Sequence, residues 1–143
     1  MAFTESFQIV IQLFLAVLLG GLIGLEREYK RKEAGLQTFS LVTLGSCLFT
    51  LVSSQFVGFN PAMIAIGIGF IGAGVIFRQS SGTIGLTTAA GLWATSAIGI
   101  AVGAKLYFLA IIGTFLTLFI FAGFGLLEQK IFKKETRDKG QNF

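Results

Sequence analysis

Apolar residues run through this chain in blocks long enough to cross a bilayer, separated by short polar stretches. The first block, Phe7 to Leu25, is just long enough as a helix to traverse a hydrocarbon layer of roughly 30 Å. Its small residues Ala16, Gly20 and Gly24 recur every four positions and form one smooth ridge on which another helix can pack closely. The block ends in the charged run Glu26–Glu33. A second block, Leu36 to Val57, carries Ser40, Thr43, Cys47, Thr50 and Ser54 at steps of three or four, which is one helical face. Two readings of that face stay open. The hydroxyls either bond back to carbonyls of their own helix, or they line the bundle interior or a wet cavity.

Gly58-Phe59-Asn60-Pro61 breaks the pattern. Asn60 suits a helix cap and Pro61 the first helical position, so a third helix is expected from here to Phe77. It contains Gly67, Gly69, Gly72 and Gly74. In water each would cost a helix about 1 kcal/mol against alanine, but in a bilayer glycine lets a neighbouring backbone approach, and Gly69 with Ala73 makes a small-xxx-small pair. This stretch is therefore expected to be the central helix of the bundle. A loop, Arg78 to Gly82, leads to a fourth helix, Leu86 to Gly103, with a second small ridge at Gly91, Thr95, Gly99 and Gly103. The fifth block, Leu106 to Leu127, is bulky in Phe, Leu and Ile, which suits lipid or a second protomer. The pattern predicts an all-α, polytopic membrane bundle of five transmembrane helices over 1–127, with a short basic tail over 128–143.

Composition strengthens this reading. The 143 residues are 54% hydrophobic and 13% charged, with 16 phenylalanines, and a soluble domain carries about twice that charged share. No acid lies between Glu33 and Glu128, where the only bases are Arg78 and Lys105. No basic residue precedes the first block and no small-residue cleavage site follows it, so a cleaved signal peptide is not expected. With five spans, ten of the eleven bases fall on one side and Lys105 alone on the other. The positive-inside rule then expects a cytoplasmic C-terminus and an outside N-terminus. The net charge of +4 reflects topology and contact with anionic lipid rather than nucleic acid.

Candidate chemistry is sparse. There is no histidine, and the single Cys47 sits in an apolar run, where it reads as a packing residue. Gly67-Ile68-Gly69-Phe70-Ile71-Gly72 fits G-x-G-x-x-G, but it follows no strand and no acid lies about 20 residues on, so it is not a dinucleotide fingerprint. No catalytic constellation and no cofactor are expected, and no metal-ligand set is assigned. The mouth on the basic side is more promising. The second and fourth helices both begin there, and helix N-termini present free N–H groups and partial positive charge. Glu26 and Glu28 emerge at the same level, where each reads either as a cap for a neighbouring helix or as an ordinary solvated charge. Glu26 is expected to hold the helix ends together with Arg27 or Arg78 as countercharge, while Lys30 reads as solvated.

These residues resemble the membrane domain of the MgtC/SapB family. The resemblance rests on Gly20-Gly21-Leu22-Ile23-Gly24-Leu25-Glu26-Arg27-Glu28, Ala34-Gly35-Leu36-Gln37-Thr38, Gly67 through Ile76, Gly85-Leu86-Thr87-Thr88-Ala89-Ala90 with Trp93, and Ile98 through Gly103. It implies a bacterial inner-membrane protein, non-enzymatic, tied to low magnesium, ion homeostasis or virulence, and acting as a regulator or interaction protein. A transporter or channel for magnesium or another small ion is the alternative. Partners implied are the bilayer and a second copy or another membrane protein. The residues expected to matter are Glu26, Arg27, Glu28, Gln37, Thr38, Asn60, Gly69, Gly72, Gly74, Arg78, Thr87, Thr88 and Trp93. Three departures stand out: Asn60 replaces the usual aspartate, Gln37 replaces an arginine, and the basic tail stands where many members carry a soluble domain. Asparagine still caps a helix but supplies no charge.

Overall fold

The computed structural model describes residues 3–58, 60–80 and 82–131; the tail bases from Lys133 to Lys139, Phe59 and Ser81 lie outside that range. The elements are α1 (Phe3–Tyr29), α2 (Leu36–Ser53), α3 (Met63–Val75), β1 (Phe77–Gln79), β2 (Gly82–Ile84), α4 (Leu86–Gly103) and α5 (Tyr107–Phe119). A π-helical turn, Ile120–Phe124, follows α5, and the helix continues to Ile131. The protein is an all-α membrane bundle of five helices. Four of them, α1, α2, α4 and the continuous helix from Tyr107 to Ile131, are long and apolar enough to span a bilayer.

The third helix is shorter than the sequence predicts. Its 13 residues rise only about 20 Å. Asn60 Oδ1 accepts the Ala62 N–H at 2.9 Å, which closes the turn ahead of the helix, but the N-cap of α3 is Ala62, with no side-chain cap. The next three bonds, to the carbonyls of Asn60, Pro61 and Ala62, are of the i→i+3 kind, so the regular helix begins only at Met63. At the far end the expected loop is instead a two-stranded antiparallel hairpin pairing Phe77 with Ile84, Arg78 with Thr83 and Gln79 with Gly82. Gly85 joins it to α4 at φ +83°, with the Val75 carbonyl lying where a Cβ would stand.

Two contacts fix the directions of the helices. Near the C-terminal end of α4, the Gln12 Nε2–H groups of α1 donate to the carbonyls of Val102 and Gly103, at 2.8 and 3.1 Å. At its other end Thr88 meets Glu33 of the α1–α2 loop. Hence α2 and α4 start at one end of the bundle, where α1 and the helix continuing from α5 finish, and α3 returns across its depth between them. Among the described residues this end gathers Arg27, Lys30, Arg31, Lys32, Arg78 and Lys130, while Lys105 lies at the opposite end.

The helix at the centre is α4, not α3. It touches each of the other four and buries Thr88, Gly91, Leu92, Thr95, Ser96, Gly99 and Gly103 among others. In α3 only Ile68 and Gly72 are buried, and Phe70 is 85% exposed. The α1 ridge at Gly20 and Gly24 and the α4 ridge at Gly99 and Gly103 close onto α2, while Gly91 of α4 meets the Phe121 ring. A Cβ on Gly20 would strike the Thr43 side chain and lie 2.7 Å from the Phe39 carbonyl, and one on Gly24 would lie 2.7 Å from Leu36 Cα. Gly99 abuts the Thr43 carbonyl, and Gly103 would meet Thr50 Cβ at 2.7 Å. The polar face of α2 resolves accordingly. Thr43, Thr50, Ser53 and Ser54 each donate back to a carbonyl of α2, at 2.6–2.9 Å. Ser46 alone crosses to another helix, sharing a 2.8 Å bond with Ser96 of α4, a link worth about 1 kcal/mol within a membrane.

Candidate functional site

The end of α1 is helical through Tyr29, which sets Glu26 and Lys30 one turn apart on one face. They form an ion pair with Lys30 Nζ 2.5 Å from Glu26 Oε1. Arg27 points the other way, into the bundle. It is only 3% exposed, its guanidinium lies 4.0 Å from the ring centroid of Phe121, and its NH1 is 3.5 Å from Glu26 Oε2. Stacking on an aromatic face suits a guanidinium that has lost most of its water. Phe121 belongs to the π-helical turn, where the regular ladder is loosened. Its carbonyl is taken up by Lys30 Nζ at 3.0 Å. One helical turn of α1 thus grips α5 twice.

Two carboxylates close the helix starts. Neither Gly35 nor Gly85 can cap α2 or α4 with a side chain, so the orphan N–H groups need partners from elsewhere. Glu28 Oε2 accepts the Leu36 N–H at 3.0 Å, and it packs where a Cβ on Gly35 would sit. At the start of α4 the buried Thr88 hydroxyl donates to Glu33 Oε2 at 2.5 Å. That bond, a backbone bond and the charges of Lys32 and Arg27 hold the Glu33 carboxyl below its ordinary pKa, against a smaller opposing effect of burial. Both anions sit where the positive ends of helix dipoles favour them.

The expected site residues are therefore split. Glu26, Arg27, Glu28, Thr87 and Thr88 share the charged end, but Glu26 pairs within α1 and does not reach α2 or α4. Glu28 and Glu33 make those links. Lys30 is half-buried rather than free in solvent: it donates to the Phe121 carbonyl and pairs with Glu26. Arg78, on the exposed β1, makes no ion pair among the described residues. Gln37 is exposed, and Thr38 faces a groove of about 750 Å³ between α2 and α3. Gly69 and Gly74 have open space beside them, and Gly72 lies against Ala89. Trp93 is 56% exposed. Among the described residues no three His, Cys, Asp or Glu side chains come together.

Four participants escape the sequence reading. Lys30 carried a signal in its four-residue spacing from Glu26, and Glu33 closed the charged run. Phe121 is one of many phenylalanines, with nothing in the pattern to mark it. Gln12, fully buried on the apolar α1, was visible as a lone amide in a membrane span, which calls for a partner.

Five apolar helices around a small-residue core, with the charges collected at one end, define a polytopic membrane protein. The comparison with known proteins gives its family. A family model described as MgtC family matches residues 13–130, and the chain belongs to that family. It is 39% identical to "Putative magnesium transporter YhiD" of Escherichia coli K12 over 89% of this chain and 65% of that protein, so it spans a little under two thirds of that relative's length. It is 39% identical to "Protein SrpB" of Synechococcus elongatus over 82% of this chain and 75% of that protein. "Protein MgtC" of Brucella abortus is 44% identical over 69% of this chain and 44% of its own length. No solved structure matches.

Proposed function

We propose that this chain is a non-enzymatic regulator or interaction protein of the bacterial inner membrane, tied to magnesium limitation and ion homeostasis. It acts as a homodimer or on another membrane protein, with the charged end in the cytoplasm and the N-terminus outside. The observation that carries this reading is how the carboxylates of the charged end are used. Glu28 and Glu33 clamp the starts of α2 and α4, and Glu26 is committed to Lys30 and Arg27. Beneath them the α1–α2–α4 seam is filled by backbone-to-backbone contact at glycine. A rigid scaffold with a charged, interlocked end suits recognition of a partner better than passage of an ion, which needs ligands free to exchange. The name of the Escherichia coli relative supports the transporter reading; in this chain such a path would use the groove between α2 and α3.

Complementation of a low-magnesium growth defect, with membrane levels checked by blot, tests the site. Glu26→Gln and Lys30→Gln should impair growth together at unchanged protein level, since each holds the other, and Arg78→Gln should not. Equal growth of all three variants would move function away from this end. Magnesium flux in proteoliposomes decides between the readings: background flux agrees with the regulator, and saturable flux overturns it.

A further inference from the structure

Beside the grip of α1 on α5 lies a cavity of about 710 Å³, walled by Arg27, Lys30, Lys32, Thr87, Phe124 and Glu128 among others. Its two sides differ in chemistry. One is basic and comes from the end of α1 and the following loop. The other, from the π-helical turn and the helix beyond it, is aromatic and aliphatic, with Phe124 and Leu126 exposed toward the surround. Among the described residues Glu128 is the one acid on the wall; Glu26 and Glu33 lie nearby but are engaged by Lys30, Arg27 and Thr88.

The bases are not all used. The Arg27 side chain is 4% exposed, yet its Nε–H has no hydrogen-bond partner among the described residues. A desolvated guanidinium donor left unpaired is costly, and a planar guanidinium matches the oxygens of a phosphate. Lys32, exposed on the same wall, makes no ion pair among the described residues. Lys30 is held by Glu26 and the Phe121 carbonyl, which fixes the wall rather than leaving a donor idle.

We propose that this cavity binds the phosphate of an anionic phospholipid, with the headgroup on Arg27 and Lys32 and an acyl chain along Phe124 and Leu126. The inference stands whether the chain regulates or transports. The amphipathic wall favours a lipid over free phosphate, because the apolar side would otherwise face water at the interface. A bound headgroup would also brace α1 against α5, so it stabilises the bundle.

Full-length protein in neutral detergent tests this by thermal unfolding and by native mass spectrometry of retained lipid. Phosphatidylglycerol should raise Tm and be retained, phosphatidylcholine should do neither, and inorganic phosphate at millimolar level should not compete. Lys32→Gln, at an exposed position that leaves the fold intact, should weaken phosphatidylglycerol binding about fivefold, the effect expected of one lysine at an anionic surface. Arg78→Gln, at the same end but off the cavity wall, should bind as the parent does. Equal retention of both lipids, undiminished binding by Lys32→Gln, or equal loss in Arg78→Gln would overturn the proposal. Competition by free phosphate would overturn the assignment to a lipid.

Discussion

The glycines of α3 and those of α4 look alike as sequence and differ completely in use. Gly91, Gly99 and Gly103 are each pressed against a neighbour: the Phe121 ring, the Thr43 carbonyl, and the Thr50 side chain with the Cys47 carbonyl. Gly67, Gly69 and Gly74 have nothing within 4 Å of a built Cβ. The difference lies in what faces them. The α4 glycines fall, with Thr95, on one stripe at i, i+4, i+8 and i+12 from Gly91 to Gly103, and that stripe meets α2 and the Phe121 ring. The α3 glycines are crowded at shorter spacings and spread around the helix, so most point away from α4, the neighbour α3 mainly packs on. A high count of glycine therefore does not locate the centre of a membrane bundle. A stripe of it does.

The largest effect that sharpens this contrast belongs to Gly99→Leu. The obstacles are a carbonyl and Ser46 Cβ, the latter at 2.8 Å, so α2 and α4 must separate and the Ser46–Ser96 bond goes with them. A loss at or above the upper part of the usual overpacking range of about 1–3 kcal/mol is expected, seen as a lower Tm in detergent. Gly72→Leu should cost distinctly less, since its Cβ would make ordinary contact with Ala89 at 3.5 Å. If both variants lost the same stability, the distinction between the helices would be wrong. Gly69→Ala reverses the sign: with open space beside it, the gain in helix propensity, up to about 1 kcal/mol, should leave Tm unchanged or raised. A clear fall in Tm would place a neighbour against α3.

The smallest expected effect concerns the charged end. Glu33 has a lowered pKa in the folded protein, led by the Thr88 bond. A depressed carboxyl stabilises the fold at neutral pH, and that contribution is lost as pH falls from the ordinary glutamate value through the lowered one. Stability measured between pH 7 and 3 should fall less steeply in Thr88→Val than in the parent. The difference is small because Glu33 is exposed to solvent, which screens it. Identical slopes would remove the Thr88 bond as the cause.

Much of the fold is legible in the sequence because bilayer thickness and period-four ridges are strong constraints. The bounds of α4 match the pattern, and both ridges close as expected. The start of α3 is less regular because Pro61 and Asn60 favour a tighter first turn, and the hairpin at Phe77–Ile84 is too short to leave a period. At the site, the idea that a carboxylate caps a neighbouring helix start holds for Glu28, which takes the Leu36 N–H; Glu33 meets the start of α4 through the Thr88 hydroxyl, and Glu26 makes neither link. Glu28 reaches across from α1 and Glu33 from the loop beyond it, while the burial of Arg27 ties the end of α1 to Phe121, ninety-four residues away in sequence. No local pattern reports such a contact.

The central claim, that α4 is the sealed axis while α3 presents Gly67, Gly69 and Gly74 outward, is tested most directly by thiol labelling. The native Cys47 is fully buried and serves as the internal control. In dilute detergent solution with one chain per micelle, Gly67→Cys and Gly69→Cys should react rapidly with a membrane-permeant maleimide while Cys47 of the parent stays unmodified until the protein unfolds. Protection of both introduced thiols to the level of Cys47 would contradict the account and return α3 to the interior.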